Sequence, residues 1–294
     1  MEIELDNQLR LGRGDFGSVF SGTFQGRKVA IRRIELIDAS DNEVEALKQL
    51  DHPNIIKLFR VERNNDFKFI ALELCEASLD KIFLLPNHPK KYKGPKLPSH
   101  FEVFLQLASG LEYIHSKKLI HGDIKPEHVL ISVDSTSQDI KVTVKWAGFG
   151  LSRTVDEREM YTMDSGGKGT RHWYAPELLL KLLFGSSDTM QQITGTVKSD
   201  MFALGLVFAY LLLDGKHIYG SNEIEIINNI LGGKKVNMNK IEQSHYAYGL
   251  VTEMLKNKPE DRISSLNIVE RLKAIRVEVT ILNYRKRNGN VYTL

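Results

Sequence analysis

The stretch at residues 120–131, Ile-His-Gly-Asp-Ile-Lys-Pro-Glu-His-Val-Leu-Ile, limits this chain more than any other. A polar loop carrying one carboxylate, Asp123, and one lysine, Lys125, sits between apolar residues that read as strands. Asp-x-Lys at this spacing sets a base beside a cation, a pairing suited to work over a phosphate. Such a loop needs a scaffold, and 294 residues suit one large domain or two lobes sharing a cleft. The composition, 42% hydrophobic and 26% charged, is that of a globular chain.

Several classes are not expected. A net charge of +3 makes no case for a nucleic-acid partner. The single cysteine, Cys75, rules out a disulfide framework within the chain and fits a reducing, cytoplasmic setting. The first ten residues show no basic n-region and no apolar h-region, so no signal peptide is expected. The longest apolar run, residues 201–213, would cover roughly 20 Å as a helix, short of the ~20 residues a bilayer demands. It reads as a buried core helix, and no membrane segment is expected.

In chain order, residues 9–33 predict strand, glycine loop, strand, turn and strand. The loop holds Leu11, Gly12, Gly14, Gly17 and Val19. No helix follows at once, which argues against a dinucleotide fold and for a hairpin lid over a nucleotide. The third strand, V-A-I-R-R-I, carries Ala30 and Arg32. Residues 41–50 predict an amphipathic helix with Val44, Leu47 and Leu50 on one stripe. Its two carboxylates are Glu43 and Glu45, and Glu45 is better read as solvated. Residues 67–74 form a further strand that includes Leu72 and Glu73 and leads to Cys75, read as a small hydrophobe.

Residues 86–98 form a loop with four prolines and four lysines, either a solvated charge run or a partner-docking loop. Residues 99–116 predict a helix with Ser99 as N-cap and an apolar stripe of Phe101, Leu105, Ala108, Leu111 and Ile114. Short strands at 128–132, which contain Leu130, and at 141–145 precede W-A-G-F-G-L-S. Further on come G-T-R-H-W-Y-A-P-E at 169–177, Asp200 in S-D-M-F-A-L-G, and Arg262 in K-P-E-D-R-I-S. Helices are predicted over 222–231, 245–256 and 264–276, and residues 281–294 read as a basic, frayed tail.

Five of these motifs, in this order, resemble those of the eukaryotic protein kinases. The resemblance implies an α+β, two-lobed fold: a mainly β N-lobe over residues 1–74, with one key helix, and a mainly α C-lobe over 75–280 that includes the hinge. The opening stretch resembles H-R-D-L-K-P-x-N, with Gly122 in place of the arginine and His128 in place of the asparagine. V-A-I-R resembles V-A-I-K, with Arg32 at the lysine position and Glu43 (Glu45 as the alternate) as its implied helix partner, and Gly148-Phe149-Gly150 stands where kinases have D-F-G. Ala175-Pro176-Glu177 resembles A-P-E, with Arg262 as its implied ion-pair partner. By position Leu72 is the gatekeeper, residues 73–75 are the hinge, and His121, Phe149 and Asp200 support the fold.

A finer similarity points to the inositol-requiring-enzyme and ribonuclease L type of kinase/endoribonuclease stress sensors. It rests on residues 70–79, 109–116, 125–132 and 169–177. It covers the kinase domain only. The chain stops just after the last expected kinase helix, so no nuclease activity is carried over.

The resemblance implies ATP or ADP contacts from Leu11, Gly12, Gly14, Gly17, Val19, Ala30, Arg32, Leu72, Glu73, Cys75 and Leu130. It implies catalytic positions at Asp123 and Lys125, with Arg32, His128 and Gly148 degenerate, and no metal ligand. Losing both metal ligands at ~10²–10³ each predicts roughly 10⁻⁴ of ordinary turnover or less. Gly122 removes the arginine that reads a phosphorylated activation segment, so control through Thr154, Thr162 or Ser165 is not expected. The leading expectation is a pseudokinase that binds adenine nucleotide weakly, with little magnesium dependence. It would act by pairing with itself or with a related kinase. The alternatives are an active serine/threonine kinase using Asp123, Lys125 and Thr170, and a fragment of a longer sensor-nuclease.

Overall fold

The computed structural model describes residues 2–14, 17–136, 139–163, 170–184 and 193–287. Alternating apolar residues near the N-terminus build β1 (Ile3–Gly14), β2 (Gly17–Phe24) and β3 (Arg27–Glu35), joined with β4 (Leu58–Arg63) and β5 (Phe67–Glu73). They form one antiparallel sheet in the order β1-β2-β3-β5-β4. Strand β5 is apolar on both faces because both are covered. Phe69 and Ala71 join Ile3, Val29 and Ile31 in a small outer cluster, while Ile70 and Leu72 belong to the main core. The two-residue period of β3 therefore sends Val29 and Ile31 outward and leaves Ala30 and Arg32 on the other face. Strand β1 begins at Ile3, earlier than the expected residue 9. Its early pairs, Ile3 with Phe24 and Leu5 with Gly22, are separated by a bulge from the pairing that resumes at Arg10, which hides the alternation.

Helix α1 (Asn42–Lys48) buries Glu43, Val44, Ala46 and Leu47 against this sheet. Its start is fixed by Lys68, a fully buried ammonium donating to Ser40 O at 2.9 Å and Asp41 Oδ1 at 2.7 Å. The hydrogen bonds from Lys68 and Arg63 hold the Asp41 carboxyl below its usual pKa.

Beyond the hinge, β6 (Ala77–Ser78), β8 (Val129–Asp134) and β9 (Lys141–Trp146) make a second sheet, and β7 (Leu119–Ile120) pairs with β10 (Arg153–Thr154). Helix α2 (His100–Ser116) is capped by Ser99, whose Oγ accepts from Glu102 N at 3.3 Å. Its buried stripe is Val103, Phe104, Leu107, Ala108, Leu111 and Ile114. The expected Phe101 and Leu105 are only half-buried, because the stripe is turned toward α4 (Val197–Leu212) and β9. Phe104 stacks on Phe208 of α4 with centroids 4.0 Å apart, and Trp146 Nε1 donates to Leu107 O at 2.9 Å. Helix α4 is buried on nearly every side, as its unbroken apolar run predicts, and opens with a Thr196/Ser199 capping box.

Around α4 lie α3 (Pro176–Phe184), α5 (Glu223–Leu231), α6 (Tyr246–Met254) and α7 (Ser265–Arg287). Helix α7 runs past the expected end at residue 276 and through 281–287, which the sequence assigns to the tail. Residues 277–287 mix apolar Val277, Val279, Ile281 and Leu282 with charged residues and contain no proline or glycine to end the helix. Two further strands, β11 (Met160–Met163) and β12 (Ile193–Thr196), pair antiparallel and tie the segment after β10 to the start of α4. Among the described residues no helix is long and apolar enough to cross a membrane.

Candidate active site

A cleft of about 580 Å³ lies between the two sheets and the residue 120–131 loop. The hairpin supplies Leu11, Gly12, Gly17 and Val19, and the third strand Ala30 and Arg32; the end of β5 supplies Leu72, and the hinge Glu73 and Cys75. Leu130, Asp123, Lys125, His128, Gly148 and Thr170 close the remaining sides. The sheet register explains the grouping: Val19 pairs with Arg32, and Ala30 with Leu72. Gly14 ends β1 opposite Gly17 at the hairpin tip. Gly17 has a φ of +120°, and a Cβ there would stand 2.3 Å from Arg33 O, so this turn admits only glycine.

The hinge is braced from outside the expected set. Glu73 accepts from Ser132 Oγ at 3.2 Å and lies 3.1 Å from Lys145 Nζ, a lysine buried beneath it. Burial pushes the Cys75 thiol up to about 12, so it stays protonated and behaves as the small hydrophobe expected. In the upper lobe Arg32 Nη1 donates to both carboxylate oxygens of Glu43, at 2.8 and 2.9 Å. Glu43 is therefore the helix partner of the third-strand cation, and Glu45 faces solvent with Lys48.

Asp123 and Lys125 are 5% and 6% exposed. Lys125 Nζ lies 3.0 Å from Asp123 Oδ2 and donates to Thr170 Oγ1 at 3.0 Å, so base, ammonium and threonine hydroxyl are in one place. The loop backbone hangs on Asp200, whose carboxylate accepts from His121 N at 2.8 Å and Gly122 N at 3.0 Å. His115 Nε2 joins at 3.0 Å while its Nδ1 meets Ser265 Oγ at 3.0 Å. Burial pushes the Asp200 pKa up, but the bond from His115, the charges of His115 and His121, and the bond from the His121 N–H outweigh it; the net direction is down.

His121 is fully buried. Its Nδ1 accepts from Asp123 N and its Nε2 donates to Ala147 O at 2.9 Å. Burial lowers its pKa to about 4, so the ring is neutral and acts as a brace. Sequence reasoning missed His115, Ser265 and Lys145. His115 is 85 residues from Asp200, and no local pattern links them.

Farther out, Arg262 grips Glu177 through two bonds of 2.6 and 2.7 Å, as the resemblance implies. Gly122 has a φ of +79°, and a Cβ there would lie 2.8 Å from Leu151 O. Thr154 pairs with Leu119 in the β10–β7 ribbon, Thr162 with Thr194, and Ser165 lies outside the described residues.

The donor set does not fit magnesium, which prefers hard oxygen ligands. Gly148 offers no side chain. His128 offers a ring whose Nδ1 donates to Asp123 O at 2.8 Å and lies 3.4 Å from Asp123 Oδ2. Among the described residues no three His, Cys, Asp or Glu side chains are grouped to hold a metal ion.

The family model of the protein kinase domain matches residues 5–272. This chain belongs to the protein kinase family. Among similar kinases is the serine/threonine-protein kinase/endoribonuclease IRE1 of Hypocrea jecorina (strain QM6a), 30% identical over 302 residues, covering 91% of this chain and 24% of that protein. The serine/threonine-protein kinase/endoribonuclease IRE2 of Homo sapiens is 35% identical over 267 residues, covering 88% of this chain and 27% of that protein. Calcium-dependent protein kinase 5 of Plasmodium berghei (strain Anka) is 31% identical over 242 residues, covering 79% of this chain and 38% of its own length. The chain thus spans about a quarter of the length of the two kinase/endoribonucleases.

Proposed function

We propose that this kinase domain binds adenine nucleotide with little dependence on magnesium and acts through contacts rather than phosphoryl transfer. The observation that carries this reading is the pairing of an intact cleft with Gly148 and His128 at the two places where oxygen ligands are needed. Phosphoryl transfer depends on positioning and on neutralising phosphate charge. Here no carboxylate stands at position 148 and no amide at position 128 to seat an ion that would share in that neutralisation.

The adenine would lie among Val19, Ala30, Leu72 and Leu130, against the backbone of residues 73–75. The lobes divide at the hinge, residues 1–74 above and 75–280 below. The similarity to kinase/endoribonucleases supports a regulatory role in stress-sensor signalling on the cytoplasmic side. The domain would pair with itself or with a related kinase, its cleft biasing one of two states. A second reading, an active serine/threonine kinase, is favoured by one observation: the Asp123–Lys125–Thr170 cluster keeps a base and a phosphate-binding ammonium together.

A thermal-shift titration with ATP, with and without magnesium, separates the two. Equal shifts support the proposal; a large magnesium-dependent shift defeats it. Labelled-phosphate incorporation that disappears in Asp123→Asn would establish the second reading.

A further inference from the structure

We infer that the imidazole of His128 occupies the room a side chain at position 148 would need, so that the ring itself bars a divalent cation from the cleft. The inference rests on the nucleotide reading above and names what controls metal access at that same site.

The geometry is specific. Gly148 has a φ of +80°, and a Cβ built on it would stand 2.4 Å from both Cγ and Nδ1 of His128 and 2.6 Å from Cε1. Carbon atoms pack at roughly 3.5–4.0 Å, so a side chain at 148 and this ring position exclude each other. The ring is not a loose tip that can step aside. Cγ is its root, and the backbone that carries it is pinned: His128 N donates to Lys125 O at 3.0 Å, and His128 O accepts from Ala147 N at 2.9 Å. The ring is held as well, since Nδ1 donates to the Asp123 carbonyl at 2.8 Å. The His121 ring lies behind it at 6.2 Å.

The two departures from the kinase pattern are therefore one packing unit. Glycine makes room for the imidazole, and the imidazole fills the space that glycine opens. A carboxylate returned to position 148 alone would meet the ring before it met a metal. An asparagine returned to position 128 alone would still face a glycine, with no carboxylate at position 148 to share the ion. Metal access is lost twice over, and only paired replacement restores it.

Two measurements test this. The first needs no ligand: melting temperatures of the wild type, Gly148→Ala, His128→Ala and the double variant. The left-handed backbone at 148 strains any side chain in both backgrounds, so that cost cancels in the cycle. Gly148→Ala is expected to lower the melting temperature by at least ~3 °C more in the wild type than in His128→Ala. An equal loss in both backgrounds, or failure of both to fold, overturns the inference.

The second reads the melting shift produced by ATP and by ADP, with and without MgCl₂, in the wild type, His128→Asn, Gly148→Asp and the double variant. Only the double variant is expected to gain a magnesium-dependent shift. If Gly148→Asp alone gains as much, or the double variant gains nothing, the ring is not the barrier, and the nucleotide reading still stands. If the wild type already shows a magnesium-dependent shift, both fall. If neither nucleotide shifts the wild type, the nucleotide reading alone falls, and the ligand-free cycle decides the packing claim.

Discussion

The two ends of the loop at residues 120–131 have met different fates. At one end, His121, Gly122 and Asp123 are tied through Asp200 and Ala147 to His115 and Ser265, and all of these bonds are in place. At the other end, His128 faces a glycine instead of joining a pair of oxygen ligands. The first set of contacts is buried and holds backbone; losing any one leaves a polar group without solvent or partner. The second set, in a working kinase, would face a bound ion, and its loss costs the fold nothing when a ring fills the gap. Supports for the fold and machinery for the chemistry are thus separable even eight residues or fewer apart on one loop.

That separation can be broken experimentally. The largest effect is expected for Arg262→Ala. It removes the buried partner of Glu177 and the donors to three backbone carbonyls, at a cost of about 3–5 kcal/mol in urea unfolding. A loss under about 1 kcal/mol would mean this support is dispensable.

Next comes pH. Burial holds His121 at a pKa of about 4 and, with the charge of His172, His217 at about 3, both below an unfolded value near 6.5. Below about 6.5 the unfolded chain binds protons that the native state refuses, so stability is full above that pH, falls as pH drops from there toward the native pKa values, and levels off below them. Unfolding free energy should drop by roughly 2–4 kcal/mol between about pH 7 and pH 5; a flat profile would refute the neutral-brace role.

Smaller effects sharpen the contrast. Thr170→Ala removes one acceptor from Lys125 and should cost about 0.5–1.5 kcal/mol, read by the same unfolding assay. Asp123→Asn should change the ATP-induced melting shift least, by less than ~1 °C, because under this reading no ion depends on its charge. A collapse of the shift would instead place Asp123 in nucleotide binding.

Much of this was legible in the residues themselves. Period-two alternation marked β3, Ser99 announced α2, and the apolar run at 201–213 announced a core helix; each follows from burial or capping that acts locally. The Arg32–Glu43 and Glu177–Arg262 pairs were implied by the resemblance to the protein kinases, not by the residues alone. What escaped depends on tertiary placement. The turn of the α2 stripe toward Phe208, the β11–β12 ribbon and the His115–Asp200 bond join segments that no window of sequence spans. The collision between His128 and position 148 was hidden for the same reason. Both departures were visible, but their contact was not.

Lys68 carries a consequence for any partner of the upper lobe. Its ammonium, sealed from water, relies on the two acceptors that sit just ahead of α1. Rolling that helix away would leave a full positive charge stranded in hydrocarbon, a penalty of several kcal/mol. A protein that docks by prising α1 outward must therefore deliver an oxygen of its own to the vacated spot. One that leaves the helix seated owes no such substitute.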